Sequence, residues 1–113
     1  MAFNDTEVVQ IKQCMNYFME KRRPLKHIRD EHDLQYRIED DSVIIFEVRQ
    51  LSWSTGRAEE MLAKITNNRN SNSWSLFWST ENNEWRHYDG RMIGSFSDAI
   101  KIIDEDADHR FFG

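Results

Sequence analysis

The chain has 113 residues, 39% of them hydrophobic and 31% charged, with a formal net charge of −5. That length allows one contiguous core and leaves no room for a second substrate domain, and the composition excludes a disordered chain. No apolar run reaches the roughly 20 residues of a membrane helix, and the single cysteine, Cys14, excludes an intrachain disulfide.

The first predicted element is a helix. Val8, Ile11, Met15 and Phe18 follow helical spacing, with Cys14 and Met19 beside them. Asn4 or Asp5 can cap its start and Glu7 adds a first-turn carboxylate. Pro24 disfavours helical geometry at Arg23, so the helix should end near Arg22.

The period then changes to two. Leu34, Tyr36 and Ile38 alternate with polar residues, predicting a half-buried strand. Asp40-Asp41-Ser42 has turn composition. A second strand runs from Val43 to about Trp53 and should form a hairpin with the first. Ile44, Phe46 and Val48 lie on one face; Val43, Ile45, Glu47, Arg49 and Leu51 lie on the other.

Residues 54–58 read as a loop. A third strand is expected from Met61 to Asn67, although Ala-Glu-Glu-Met-Leu-Ala-Lys also suits a helix. The fourth strand places Trp74, Leu76 and Trp78 on one face, with Phe77 opposite, and a fifth runs from Glu84 to Tyr88. Ser95 is a cap candidate for a last helix with the stripe Phe96, Ala99, Ile100, Ile103 and Ala107. The terminal Phe111-Phe112 rings should dock at least in part on the core.

The expected fold is thus α+β, one domain over residues 1–113. It consists of an N-terminal helix, a five-stranded antiparallel meander and a C-terminal helix. The helices are expected to cover Ile44, Phe46, Trp74 and Trp78. The other face should be partly open and carry Arg37, Glu47 and Arg49 near Lys64, Ser75 and Phe77.

Arg22-Arg23-Pro24, His27-Ile28-Arg29-Asp30, Arg37-Ile38-Glu39, Phe46-Glu47-Val48-Arg49 and Phe111-Phe112-Gly113 occur here in that order. So do Trp53, Trp74, Trp78 and Trp85. In this ordered set the chain resembles a family of short bacterial proteins catalogued as a domain of unknown function. The resemblance spans nearly the whole chain and implies a bacterial, cytoplasmic, stand-alone domain. It implies no activity and transfers no site residue. This chain departs from the family pattern where Gln50 follows Arg49 and in the turn after Tyr88.

Motifs for chemistry are sparse. Asp104, Asp106 and Asp108 imitate the start of a calcium loop, but His109 stands where that loop needs glycine. His27, His32, His87 and His109 lack zinc-ligand spacing. Cys14 flanks an apolar stripe, which favours an inert buried thiol. Neither a phosphate loop nor a nucleophile elbow occurs, and no cofactor is expected.

Residues 21–29 carry five positive charges and no negative one. They suit a helix C-terminus, or an acidic partner. The leading expectation is a non-catalytic cytoplasmic binding module using the open sheet face and this basic segment. Arg22, Arg23, Arg29, Arg37, Glu47 and Arg49 are its candidate binding residues, and a protein or a nucleic acid its partner. The acidic total argues against strong non-specific nucleic-acid binding. Two alternatives are an enzyme with a site around Glu47, Arg37, Arg49 and a histidine, and a homodimer formed through the open face or the sheet edge. Trp53 and Trp85, at strand ends, are core residues or caps of a groove.

Overall fold

The computed structural model describes residues 2–51, 56–88, 90 and 92–112. Helix α1 spans Asp5–Arg22. Strands β1 (His32–Glu39), β2 (Ser42–Gln50), β3 (Arg57–Asn68), β4 (Ser73–Ser79) and β5 (Trp85–His87) follow, and helix α2 spans Phe96–Glu105. The strands form one antiparallel sheet in the order β1-β2-β3-β4-β5. The expected α+β meander between two helices is the fold found. Among the described residues, no helix is long and apolar enough to cross a membrane.

Both helix starts are capped by the residues the sequence offers. Asn4 Oδ1 accepts from the Glu7 N–H at 2.8 Å, and Glu7 Oε1 accepts from the Asn4 N–H at 3.0 Å. The two residues thereby satisfy each other's otherwise unpaired donors. Ser95 Oγ accepts from the Asp98 N–H at 3.1 Å. α1 stops where Pro24 requires, with Arg23 already extended at ψ 136°. α2 stops earlier than its apolar stripe implied. Asp106 turns left-handed at φ 45°, so Ala107 lies beyond the helix and is exposed.

Both helices pack on one side of the sheet. Ile11, Met15 and Phe18 of α1 meet Phe96, Ala99, Ile100 and Ile103 of α2. Beneath them lie Leu34, Val43, Ile45, Ala63, Ile65 and Leu76 from four strands. Trp74 and Trp78 flank this core, on the face the sequence assigned to them. Trp74 stacks on Phe3 and meets the edge of Phe96, with ring centroids 5.8 and 5.3 Å apart.

The faces of β2 are the reverse of the expectation. Val43 and Ile45 point toward the helices, whereas Ile44, Phe46 and Val48 form a second apolar cluster with Met61 and Trp85. Among the described residues, none from a helix enters that second cluster. The register confirms the reversal. Tyr36 faces Ile45, and Ile45 faces Ala63, which is opposite Trp78. On the other surface Arg37, Ile44, Lys64 and Phe77 run in one row, ending at His87.

β3 is a strand throughout, and it begins at Arg57, earlier than Met61. Arg57 and Ala58, read as loop, pair with Gln50 and Arg49. The helix-like composition of residues 58–64 yields to the ladder on both sides, as tertiary context overrides weak propensity. The strand also holds a bulge. Ile45 pairs with Ala63 but Phe46 pairs with Met61, which leaves Leu62 as the extra residue. The insertion lets Leu62 and Ala63, adjacent in sequence, both join the main core. It also returns Met61 to the second cluster.

The C-terminal segment is held down by one carboxylate. Asp106 Oδ1 and Oδ2 accept from the Phe111 and Phe112 N–H groups at 3.0 and 2.9 Å. Phe111 then docks against Tyr88, with centroids 5.4 Å apart, as the sequence predicted for at least one of the rings. Asp106→Gly keeps the left-handed turn available and removes both acceptors. It should cost about 1–3 kcal/mol and raise amide exchange over residues 107–112 while α1 stays protected. Unchanged exchange in that segment would contradict the tether.

Candidate functional site

The candidate residues do not form one patch. The basic segment is largely committed inside the molecule. Lys21 Nζ and Arg22 Nε bind the two carboxylate oxygens of Asp104 at 3.0 and 2.8 Å. Arg22 also donates to the Asp104 carbonyl and lies 4.5 Å from the centre of the Phe112 ring. These contacts fasten the end of α1 to the end of α2. The two cations hold the Asp104 carboxyl below its ordinary range, chiefly by hydrogen bonding from Arg22.

Arg23 turns the other way, toward β1. Its Nε and Nη2 donate to Asp33 Oδ1 and Oδ2, each at 2.8 Å. Asp33 is buried and also accepts from the Leu34 N–H and the Gln35 amide. Hydrogen bonding from Arg23 is the main reason its carboxyl falls to about 2. Arg29 Nε donates to the Pro24 carbonyl at 2.9 Å and closes the loop after α1. Arg22, Arg23 and Arg29 therefore act first as fasteners of the fold.

The acidic run is likewise structural. Asp104 and Asp106 have the partners given above, and Asp108 Oδ2 accepts from the Tyr88 hydroxyl at 2.9 Å. Among the described residues, no group of three or more His, Cys, Asp or Glu side chains could hold a metal ion.

Arg37, Glu47 and Arg49 do not share a face, contrary to the sequence expectation. Glu47 pairs in register with Leu34, on the helix side of β2. It lies near the strand end, where His32 contacts its carboxylate and Arg49 Nη2 lies 3.5 Å from it. Arg49 Nε is 3.7 Å from Glu60. Arg37 lies on the opposite surface. Its Nη1 donates to Glu59 at 3.1 Å, and its guanidinium carbon is 4.9 Å from the centre of the Phe46 ring. Glu39 is 3.0 Å from Arg37 Nε but off its N–H axis, so it contributes charge and no hydrogen bond. The constellation of Glu47 with both Arg37 and Arg49 is therefore not assembled.

The sheet face turned away from the helices has a different centre. Lys64 of β3 extends its ammonium between two rings, 4.9 Å from the centroid of Phe77 and 5.3 Å from that of Trp85. Among the described residues it has no carboxylate within ion-pair distance. His87 meets the edge of Phe77 at 5.1 Å. Ile44, Phe46, Val48 and Met61 form the apolar ground beside this group. Trp85 is thus placed on the second cluster; Trp53 lies outside the described residues. Lys64 and Phe77 were legible as neighbours in the sequence. That Lys64 sits between two rings, with no acid beside it among the described residues, was not, because it depends on the β3–β4–β5 register.

Architecture and surface define a small α+β domain with one helix-covered and one helix-free sheet face. The chain matches the model of a family described as Domain of unknown function (DUF3024) over residues 3–113, and it belongs to that family. No curated protein and no solved structure matches it.

Proposed function

We propose that this chain is a non-catalytic binding module that recognises its partner on the helix-free sheet face. The partner it fits is a protein segment presenting a carboxylate among apolar residues. Lys64 carries this reading. It is a cation without an acidic partner among the described residues, flanked by Phe77 and Trp85 and bordered by Met61. A carboxylate meeting that ammonium between two rings is shielded from water, which strengthens a charge-assisted bond. Apolar side chains beside it would cover the second cluster. The net charge of −5 disfavours a polyanion such as nucleic acid, which needs several cations to displace its counterions. The basic segment has no part in this surface, because its arginines are engaged elsewhere.

Random peptides displayed on phage, selected on the wild-type domain and counter-selected on Lys64→Glu, test this reading. The selected peptides should carry Asp or Glu flanked by apolar residues. Lys64→Glu should weaken their binding at least about tenfold, the scale of one buried charge-assisted contact. Lys64 makes no ion pair among the described residues, so the variant should remain folded. Peptides indifferent to Lys64→Glu and Trp85→Ala would overturn the reading. So would tighter binding of a labelled single-stranded oligonucleotide.

A further inference from the structure

A cavity of about 450 Å³ opens where β5 meets the C-terminal segment. Trp78, Arg86, Tyr88, Asp108 and Arg110 line it. His87 borders it too, but its ring is turned to Phe77, on the Lys64 face. The register sets Arg86 directly across from Trp78, so both side chains leave the sheet on the helix side. Arg110 reaches the same indole from the C-terminal segment, its guanidinium carbon 4.5 Å from the ring centre. The backbone holds it there. Asp106 accepts from the N–H of the next residue, Phe111, and the N–H of the preceding one, His109, donates to the Asp106 carbonyl.

Two guanidinium groups thus converge on one ring with no anion to neutralise them. Arg22, Arg23, Arg37, Arg49 and Arg69 each meet a carboxylate. Among the described residues, Arg86 and Arg110 have none within ion-pair distance. The acid in the lining, Asp108, is turned to the Tyr88 hydroxyl, from which its Oδ2 accepts at 2.9 Å. Like charges gathered in a partly enclosed space repel. Acids outnumber bases here by 20 to 15, so two neighbouring cations without an acid are an arrangement that a bound anion would complete.

We propose that this cavity binds a small phosphate monoester, its phosphate gripped between Arg86 and Arg110. A carboxylate presents both of its oxygens to a single guanidinium fork, whereas a phosphate has three and can accept from two forks at once. Arg110 is laid on Trp78 and tethered on both sides, so it meets the phosphate already ordered and loses less freedom on binding. The cavity also has room for a small body. Asp108 Oδ1, which accepts from no described group, is left for a hydroxyl on that body.

The test titrates glycerol phosphate into the isotope-labelled chain, with glycerol as the control, and follows it by NMR. Glycerol phosphate should saturably shift the Trp78 indole N–H and the Arg86 and Arg110 amides, and glycerol should not. Arg86→Met and Arg110→Met should each weaken binding at least about tenfold, the scale of one charge-assisted contact. Arg86 is exposed on the edge strand β5, so Arg86→Met should fold as the wild type does. Lys64→Glu should leave binding unchanged, which separates this site from the sheet face. In the wild-type chain the probe should also slow modification of Arg86 and Arg110 by phenylglyoxal, with the exposed Arg57 as reference, a readout that needs no variant. Absent or non-saturating shifts would overturn the inference, as would equal shifts with glycerol. So would unchanged affinity in Arg86→Met, lost binding in Lys64→Glu, or arginines left unprotected.

Discussion

Phe18→Ala is expected to destabilise the domain by about 3–5 kcal/mol, the range for a fully buried aromatic truncated in a core. Phe18 is 1% exposed and sits in the stripe that α1 turns toward α2 and the sheet. Its ring also lies 6.4 Å from that of Phe112, so the truncation loosens the C-terminal segment as well. A domain of this size has about 5–15 kcal/mol in total, and the loss is a large share of it. Urea titration followed by tryptophan fluorescence should show a lower midpoint with little change in slope. Tyr17, its neighbour in sequence, is 69% exposed, and Tyr17→Ala should stay within about 0.5 kcal/mol of the wild type. Equal effects of the two substitutions would mean that α1 is docked on a different face.

Asp33→Asn is expected to cost about 2 kcal/mol at neutral pH. The native carboxyl lies at about 2, against an ordinary value of 3.8. A folded value below the unfolded one gives stability that is present above the unfolded value. It is lost as pH falls through 3.8 toward about 2. The wild-type advantage over Asp33→Asn should therefore be complete near neutrality and vanish in strong acid. Arg23 keeps some access to water, so its own loss of a partner adds little. Chemical denaturation at several pH values checks this. A difference that does not depend on pH would mean that Asp33 acts through its shape and neutral hydrogen bonds.

Much of the fold could be read from the sequence because its signals agree across levels. The Asn4 cap, the stop at Pro24, the Leu34–Ile38 alternation and the Ser95 cap are local, and each fixes an element boundary or type. The faces of β2 were not legible for a physical reason. Val43, Ile44, Ile45 and Phe46 are all buried, so alternation carries no information there. The charges of Glu47 and Arg49 marked their side of the strand as the wet one. That is true only near the strand end, where they meet His32 and Glu60.

The bulge at Leu62 is another feature hidden from periodicity, since it breaks the period it would have to be read from. The basic run was half legible: Lys21 and Arg22 do end α1, as its charge suited. Its charge was visible, but its carboxylate partners lie in β1 and α2, at Asp33 and Asp104. Lys64 shows the converse. An ordinary lysine in a strand gains interest only when the register sets Phe77 and Trp85 beside it.

The proposed recognition face around Lys64 is tested most directly by mapping a selected acidic–apolar peptide onto the labelled domain by NMR. The account predicts that saturable shifts concentrate on Met61, Lys64, Phe77, Trp85 and His87, and that Lys64→Glu removes them without disturbing the rest of the spectrum. Shifts centred instead on the helices, or on Lys21, Arg22 and Arg23, would contradict it.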